Sequence, residues 1–427
     1  MDEADRLNRI LDDQAPALAR CLSELGRRAA FPKGIPYQAA AAKGTEINAT
    51  IGQLTDGHGC AMPLPQLAAQ FPGMSPQEAF LYAPVSGPKV LRKRWAERER
   101  RIGGAPQGLR TTLPLVTHGL THGLSLVADL FSDEDTDVIL PTPSWGNYRL
   151  LFRLHRDARL LPFDFFRDGR FNVEGLAEAL SKVQKKAVVL LNLPGNPSGY
   201  APSNEEVAGI LDVLADAPKP TVVAVDDAYQ GWVYEEGHLD RSLFWPLAER
   251  LRGHDRVAAV KIDGATKELA FFASRVGFLT FATDSAEVEE AIESKLKCVT
   301  RGTVGSASGP AMSAVTAALA SPDLDASFEA HRQVLAGRYR ALRGALDALG
   351  DDRVTPLPFN AAYFALLQLD PSVDAEALRL HLLANESLGI IAFADVNAVR
   401  IAYCSIDEAT LPELVMRLGR GVAAIGG

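Results

Sequence analysis

Lys267 and Arg275 lie in a stretch of mostly apolar and small residues, positions 260–281, that reads VKIDGATKELAFFASRVGFLTF. Long cationic side chains are rarely buried in apolar segments unless an anion or a chemical reaction requires them. A lysine at the end of a buried strand has its charged form disfavoured, which makes its neutral amine available as a nucleophile. Schiff-base chemistry with a carbonyl compound requires such an amine. Two alternatives remain open, since Lys267 could also cap a helix end or pair with Glu268.

A second pair of candidates, Asp226 and Tyr229, occurs in AVDDAYQGW, where both side chains could turn toward one pocket. A buried carboxylate needs a cationic or hydrogen-bond-donating partner, because burial otherwise protonates it. A protonated pyridine nitrogen would be such a partner. The alternative is a helix N-cap, a role that Asp227 would fill equally well.

A phosphate site is indicated by VTHGLTHGLSL, which places Gly119, Leu120 and Thr121 where a loop enters a helix. Backbone N–H groups at a helix N-terminus bind phosphate, and Arg275 could add a bidentate contact. Trp145 occurs among the turn-forming residues of PTPSWGNY, where an indole can stack on a planar ring, although it could equally be a core residue. Each of these patterns is weak when taken singly.

The elements that must position these residues are short apolar runs, each followed by turn-forming residues and a helix-like stretch. The runs begin at Asp137, Ala187, Thr221 and Arg256. Continuous β-branched runs are typical of strands buried on both faces, so the sequence predicts an α/β fold with a parallel sheet covered by helices. Ligands of such sheets bind beyond the carboxyl ends of the strands, where the candidate residues fall. The C-terminal third predicts a smaller α+β domain, shared with the N-terminal segment.

The bulk composition excludes several classes of protein. A chain of 427 residues, 47% of them hydrophobic, is long enough for one large domain and a smaller one, and its net charge of −9 argues against nucleic acid or anionic lipid as a partner. Four scattered cysteines and eight histidines without ligand spacing predict neither a disulfide framework nor a metal site. The acidic N-terminus and the lack of a long apolar run predict a cytoplasmic protein without a membrane span. The alternating charges of LRKRWAERERR, at 91–101, predict a solvated helix face with internal ion pairs.

Taken in order, these motifs resemble the aspartate aminotransferase superfamily, the fold-type I enzymes that use pyridoxal 5′-phosphate. DDAYQGW is similar to the family's D-x-A-Y motif, NLPGNPSG to its N-P-x-N-P-T-G motif, and TKELAFFASRVG to its lysine followed eight residues later by an arginine. The resemblance implies that Asp226 contacts the pyridinium nitrogen, while Tyr229 and Asn196 contact the phenolate oxygen. It also implies that Lys267 forms the Schiff base and that Arg275 binds the phosphate.

Further matches imply the rest of the cofactor site. The other implied cofactor contacts are Gly119, Leu120, Thr121, Trp145 and Thr266. Thr266 would replace a hydroxyl residue that the family usually has at the position of Gly264. Tyr82, in LYAPVSGPKVLR, resembles the tyrosine that reaches the phosphate of a neighbouring subunit, so the resemblance implies a homodimer with shared active sites.

The resemblance also implies how a substrate is held. Arg400, in AVRIAYCS, falls where the family binds the substrate α-carboxylate, with Gly52 opposite it and with Trp145 and Asn196 nearby. Arg301 falls where dicarboxylate-specific members place an arginine from the partner subunit. A surface or phosphate-supporting arginine is an equal alternative, because the following GTVGSASG differs from the family's S-N-P-P pattern.

The function implied is transfer of an amino group between an L-amino acid and a 2-oxo acid, with Lys267, Asp226 and Tyr229 as catalytic residues. The same motifs also serve β-lyases, decarboxylases and oxidases, and a non-catalytic ligand-sensing homologue is a further alternative. The implied architecture is a large cofactor-binding domain at 76–330 with a mostly parallel sheet of the seven-stranded type. Residues 331–427, together with the N-terminal segment 1–75, would form the smaller domain.

Overall fold

The computed structural model describes residues 34–283 and 285–426, together with six positions before residue 34. Most of the segment 1–33, which was predicted to join the smaller domain, therefore lies outside the described residues. Within the described part, no helix is long and apolar enough to cross a membrane.

The strands and helices are named here in chain order. The strands are β1 (Ile47–Asn48), β2 (Leu115–His118), β3 (Thr136–Thr142), β4 (Arg159–Asp164), β5 (Phe166–Arg167), β6 (Arg170–Phe171), β7 (Lys186–Leu191), β8 (Thr221–Asp226), β9 (Val257–Gly264), β10 (Val276–Phe281), β11 (Val354–Pro356), β12 (Phe364–Leu369), β13 (Leu388–Gly389), β14 (Ile391–Phe393) and β15 (Ala398–Ala402). The α-helices are α1 (Ile35–Ala41), α2 (Pro65–Ala68), α3 (Pro76–Phe80), α4 (Lys89–Gly103), α5 (Leu120–Phe131), α6 (Val173–Ser181), α7 (Asn204–Ala215), α8 (Phe244–Arg250), α9 (Ala265–Glu268), α10 (Ala286–Thr303), α11 (Gly309–Ala318), α12 (Leu324–Leu349), α13 (Ala375–Asn385) and α14 (Leu411–Ile425).

The larger sheet has seven strands in the order β2-β10-β9-β8-β7-β3-β4. The strand β10 is antiparallel to both of its neighbours, and the other pairings are parallel. The predicted α/β fold with a mostly parallel sheet is therefore confirmed. Because β10 runs in the opposite direction, its first residues lie at the edge where the parallel strands end.

Both faces of this sheet are buried, as the continuous apolar runs predict. Val189 and Leu191 of β7 belong to one apolar cluster, which includes residues of α6, α7 and α8. Val188 and Leu190 belong to another, which includes residues of α5. Successive residues of a strand point to opposite faces, so one short apolar run supplies both layers of core.

Local sequence signals fix where helices begin and end. Ser203 accepts a hydrogen bond from the backbone N–H of Glu206, and the Glu206 carboxylate accepts one from the backbone N–H of Ser203, forming a capping box at the start of α7. Gly104, with φ of 62°, ends α4 in the left-handed conformation that glycine adopts most easily.

The second sheet is antiparallel, in the order β11-β12-β15-β14, and it packs with α12, α13 and α14 around its own apolar cluster. Strand β1 pairs with β13, which attaches residues 47–48 to this C-terminal part. That pairing supports the division of the chain into 1–75, 76–330 and 331–427, which stays a prediction. Helix α12 runs through residue 330 without a break.

One prediction about α4 was only partly correct. The alternating charges were expected to form a solvated face, and Lys93 and Glu97 are indeed exposed. However, Arg92, Arg98 and Glu99 are buried. Arg92 pairs with Glu293 of α10 at 2.9 Å. Arg98 pairs with its neighbour Glu99, as predicted for internal ion pairs, and also pairs with Glu268 of α9. The buried charges of α4 are thus paired with charged residues of α10, α9 and β9 instead of facing water.

Candidate active site

A cavity of about 190 Å³ lies at the edge where β3, β7, β8 and β9 end. It is lined by Leu120, Thr121, Trp145, Asn192, Asn196, Asp226, Ala228, Tyr229, Thr266, Lys267 and Arg275. Apart from Asn192 and Ala228, these are residues that the sequence predicted for one site. The parallel strands bring them together because each strand delivers its following residues to the same edge.

Lys267 belongs to the short helix α9, which follows β9 directly. The pKa of its amine is lowered to about 8, chiefly by burial; the charge of Asp226 opposes this change, and the charge of Arg275 adds to it. The amine lies 5.6 Å from the centre of the Tyr229 ring. The alternative pairing of Lys267 with Glu268 is not found, because the Glu268 carboxylate pairs with Arg98 at 2.7 Å.

Asp226 is the last residue of β8, and its side chain is held by two donors. The hydroxyl of Tyr148 donates to its Oδ2 at 2.6 Å, and the backbone N–H of Ala228 donates to its Oδ1 at 3.2 Å. Burial raises the pKa of Asp226 above its usual value, because no charged donor in the described structure compensates fully for the loss of water. A cationic N–H group in the cavity would keep this carboxylate ionised.

Two residues of this site were missed as candidates. Tyr148 occurs three residues after Trp145, and their rings meet edge to face with centres 5.6 Å apart. Asn192 follows β7 directly; its Nδ2 donates to the backbone oxygen of Asp226 at 2.7 Å, and its Oδ1 accepts from the backbone N–H of Asn196 at 2.8 Å. Asn192 therefore joins the ends of two strands. A polar residue directly after an apolar run was the signal that could have identified it.

The opposite end of the cavity is suited to an anion. Arg275 precedes β10 with φ of 53°, and its guanidinium lies so close to Gly119 that a Cβ there would come within 2.3 Å of Nη2. The helix α5 begins beside it at Leu120, so the free N–H groups of its first turn are available. The hydroxyl of Thr266 is buried and has no hydrogen-bond partner among the described residues.

Arg400 lies behind Asn196 as a buried cation, 1% exposed. Its Nη1 donates to Asn196 Oδ1 at 2.7 Å, its Nη2 donates to the backbone oxygen of Thr50 at 2.8 Å, and its Cζ lies 4.2 Å from the centre of the Phe364 ring. No carboxylate of the described chain forms an ion pair with it, and burial lowers its pKa to about 10. Position 52 requires glycine, because a Cβ there would lie only 2.5 Å from the same Phe364 ring.

Two residues that were predicted for the site lie on the surface of the chain instead. Tyr82 is fully exposed, at 102%, and Arg301, near the end of α10, is also exposed. Neither residue lines the cavity.

The fold and the cavity together define an α/β protein with a cofactor site at its strand ends, and the comparisons give its family. The aminotransferase class I and II family model matches residues 45–418, so the chain belongs to that family. Aspartate aminotransferase 1 of Medicago sativa is 30% identical over 216 residues, which cover 50% of this chain and 50% of that protein. The match thus spans about half the length of this relative.

Solved structures share the fold over nearly the whole chain. An aminotransferase of Anaerococcus prevotii has a TM-score of 0.81 and 23% identity, covering 94% of this chain and 98% of that one. An α-aminoadipate aminotransferase of Thermus thermophilus, solved as a complex with N-(5′-phosphopyridoxyl)-L-leucine, has a TM-score of 0.77 and 22% identity, covering 96% of this chain and 98% of that one. The predicted family resemblance is confirmed.

The family's cofactor is pyridoxal 5′-phosphate, and the cavity residues fit it. The unpartnered hydroxyl of Thr266, the guanidinium of Arg275 and the start of α5 provide donors for a phosphate. The Asp226 carboxylate forms no ion pair among the described residues, and a protonated ring nitrogen would supply the missing cationic partner. The amine of Lys267 belongs to the same cavity, where the charges of Asp226 and Arg275 both act on its pKa.

Replacing Arg275 by alanine should weaken binding of pyridoxal 5′-phosphate by about 10- to 100-fold, because a charge-assisted contact to the phosphate is lost. The apoprotein should keep its melting temperature, since the hydrogen bond described for this guanidinium, from Nη1 to the backbone oxygen of Phe272, is long at 3.4 Å. Equilibrium dialysis measures the affinity, and Arg250→Ala, at an exposed arginine of α8, is the control. Unchanged affinity in the Arg275 variant would show that Arg275 does not bind the phosphate.

Capture of the cofactor by the apoprotein should accelerate as the pH rises through about 8, because the amine of Lys267 must lose its proton before it can react. A lysine with the ordinary pKa of about 10.4 would gain speed mainly at higher pH. Stopped-flow absorbance gives the rate constants, and Nα-acetyl-lysine under the same conditions provides the control profile. A protein profile that rises in parallel with that control would contradict the lowered pKa.

Proposed function

We propose that this protein is a pyridoxal 5′-phosphate-dependent aminotransferase that moves an amino group between an L-amino acid and a 2-oxo acid. The observation that carries this proposal is the buried guanidinium of Arg400, which has no carboxylate partner in the described chain and lies beside the cavity that holds Lys267. Burying an uncompensated cation is unfavourable unless an anion arrives to pair with it. The α-carboxylate common to amino acids and 2-oxo acids is such an anion.

The other residues would hold the cofactor in one orientation. Asp226 would contact the ring nitrogen, and Tyr229 and Asn196 would contact the phenolate oxygen. Trp145 would stack on the ring, while the phosphate group would be bound by Gly119, Leu120, Thr121, Thr266 and Arg275. Support comes from the shared cavity and from the unpartnered hydroxyl of Thr266.

The bound cofactor supplies an electron sink for the bonding pair released at the substrate Cα. Lys267 would move the proton: its neutral amine would take it from the substrate Cα, and the resulting ammonium would then serve as the proton donor that completes the transfer. A pKa near 8 suits both directions, because the ideal acid–base catalyst titrates close to the working pH. Arg400 fixes the carboxylate through two N–H groups, which orients the Cα–H bond that must break.

A half-reaction tests the proposal. An amino acid should convert the bound chromophore to its amine form without release of ammonia, and 2-oxoglutarate should restore it. Release of ammonia with pyruvate would indicate a β-lyase, release of carbon dioxide a decarboxylase, and consumption of oxygen an oxidase. Cofactor binding without any turnover across a panel of amino acids would indicate a ligand-sensing homologue.

A homodimer with shared sites and a cytoplasmic location belong to the same proposal. The fully exposed Tyr82 follows two further exposed apolar side chains, Phe80 and Leu81, as expected for a surface that a second copy covers. The free thiols of Cys60, Cys298 and Cys404 are typical of a reducing compartment.

If Arg301 enters the partner's site, its charge would favour acidic substrates. Replacing it by alanine should then lower kcat/KM for aspartate or glutamate by about 10- to 100-fold, the loss expected for one charge-assisted contact, and leave a neutral amino acid unaffected. Steady-state kinetics with both classes of amino acid provide the measurement. An equal loss on acidic and neutral substrates would assign Arg301 a supporting role instead.

A further inference from the structure

Six charged side chains form a second buried group next to the cavity, which we call the ion network. Its members, each at most 7% exposed, are Arg98, Glu99, Asp227, Lys261, Asp263 and Glu268. The proposed catalytic steps use none of them. Four carboxyl groups share two cations here, an arrangement that is costly to bury unless every contact is well placed.

Lys261 of β9 occupies the centre of the network. Its ammonium lies 2.9 Å from Glu99 Oε2 and 3.5 Å from Asp227 Oδ2, and it also contacts the Asp263 carboxylate. The indole of Trp95 donates to Asp263 Oδ2 at 3.0 Å. The carboxylates of Glu99, Asp263 and Glu268 are close enough to hold a metal ion, but the ammonium already fills the cationic position among them.

Arg98 extends the network from α4 to the helix that carries the reactive amine. Its Nη1 lies 2.6 Å from Glu99 Oε1 and 2.7 Å from Glu268 Oε2. The side chain of Arg98 also lies over the Trp95 ring, with Cζ 5.6 Å from the ring centre. Through Glu268, the short helix α9 is therefore fixed to the much longer α4.

Two members of the network are direct chain neighbours of the proposed catalytic residues. Asp227 follows Asp226, and Glu268 follows Lys267. In each pair, the first side chain lines the cavity and the second joins the network. The backbone N–H of Asp227 also donates to the oxygen of Ile262 at 2.8 Å, which joins the end of β8 to β9.

Several network oxygens have no hydrogen-bond partner in the described structure. They are Asp227 Oδ1, Asp263 Oδ1 and Glu268 Oε1. Burial and neighbouring carboxylates raise the pKa of Glu268 well above its usual value, and burial is also the main cause that raises the pKa of Asp227 to about 7.

We propose that the ion network is a positioning device for the reaction: Glu268 and Arg98 fix Lys267, while Lys261 and Asp227 fix Asp226. This inference rests on the proposed function, because the network would act through Lys267 and Asp226, the two residues to which that function gives catalytic roles. Removing the Glu268 side chain should loosen α9 and let water reach Lys267. The amine should then titrate closer to the pKa of an ordinary lysine.

The test compares Glu268→Ala with Glu268→Gln, which keeps an oxygen that can accept from Arg98. In Glu268→Ala, the pH midpoint for cofactor capture by the apoprotein should rise by at least about half a unit. Its kcat should fall by about 10-fold while KM changes by less than about 2-fold, because a misplaced proton carrier slows chemistry more than binding. Glu268→Gln should restore both quantities to near the wild-type values. Glu268→Asp, which withdraws the carboxyl group from Arg98, should change them in the same direction as alanine and replaces that variant if it does not fold.

The matched control is Glu293→Ala, which breaks the ion pair of Arg92, another buried arginine on α4. It should lower the melting temperature but leave the capture midpoint and kcat unchanged. A wild-type midpoint and kcat in the Glu268 variants, or an equal effect in Glu293→Ala, would overturn the inference. Failure of the wild-type protein to capture the cofactor would instead overturn the proposed function, so the two failures are distinguishable.

Discussion

Replacing Lys267 by alanine should abolish transamination, with kcat reduced by at least about 10⁴-fold, because one change removes both the nucleophile and the proton carrier. The characteristic absorbance of covalently bound cofactor should disappear, although the phosphate contacts would still retain some cofactor. Absorbance spectroscopy and single-turnover kinetics measure these two effects.

The fold of the Lys267→Ala variant should be preserved. The lowered pKa, about 8, shows that the folded protein disfavours the charged amine, so removing it relieves an unfavourable burial. The melting temperature of the apoprotein should therefore be unchanged or higher. Lys297→Ala, at an exposed position of α10, is the control and should keep full activity. Substantial turnover by the Lys267 variant would contradict the assigned role.

Replacing Asp226 by asparagine should lower kcat by about 10²- to 10³-fold, the range observed when one electrostatic partner of a transition state is lost. Asparagine keeps the shape of the side chain and removes its charge. The ring nitrogen would then lose its proton more readily, and charge released at Cα would be stabilised less well. The measurement is the half-reaction rate at saturating amino acid.

Tyr148→Phe is the matched comparison for Asp226→Asn, because it removes the 2.6 Å hydrogen bond to Asp226 but leaves the carboxylate in place. Loss of this one bond should lower kcat by about 10-fold, in line with the net contribution of a single hydrogen bond. If Tyr148→Phe proved as damaging as Asp226→Asn, positioning rather than charge would be the main contribution of Asp226.

The sheet and most of the cavity could be predicted because each is encoded locally. An apolar run followed by turn-forming residues identifies a buried parallel strand, and parallel strands deliver their next residues to one edge. That reasoning placed Trp145, Asn196, Asp226, Tyr229 and Lys267 together, as the cavity shows.

The ion network could not be predicted in the same way, because its charges come from separate parts of the chain. Arg98 and Glu99 alternate with other charged residues in a pattern that is typical of a solvated helix. Lys261 precedes Lys267 by six residues and gave no sign that its ammonium would meet the carboxylate of Glu99 in α4 and that of Asp227, which follows β8. Sequence periodicity describes the face of one helix, and it does not reveal what packs against that face.

The position of the covalent bond to the cofactor tests the central claim most directly. Borohydride reduction of the holoprotein, followed by proteolysis and mass spectrometry, identifies the lysine that carries the phosphopyridoxyl group. The proposed site predicts this group on the peptide that contains Lys267, and its absence from the same peptide after Lys267→Ala. Modification of another lysine, or of none in a protein that still transaminates, would contradict the assignment of Lys267 and of the cavity around it.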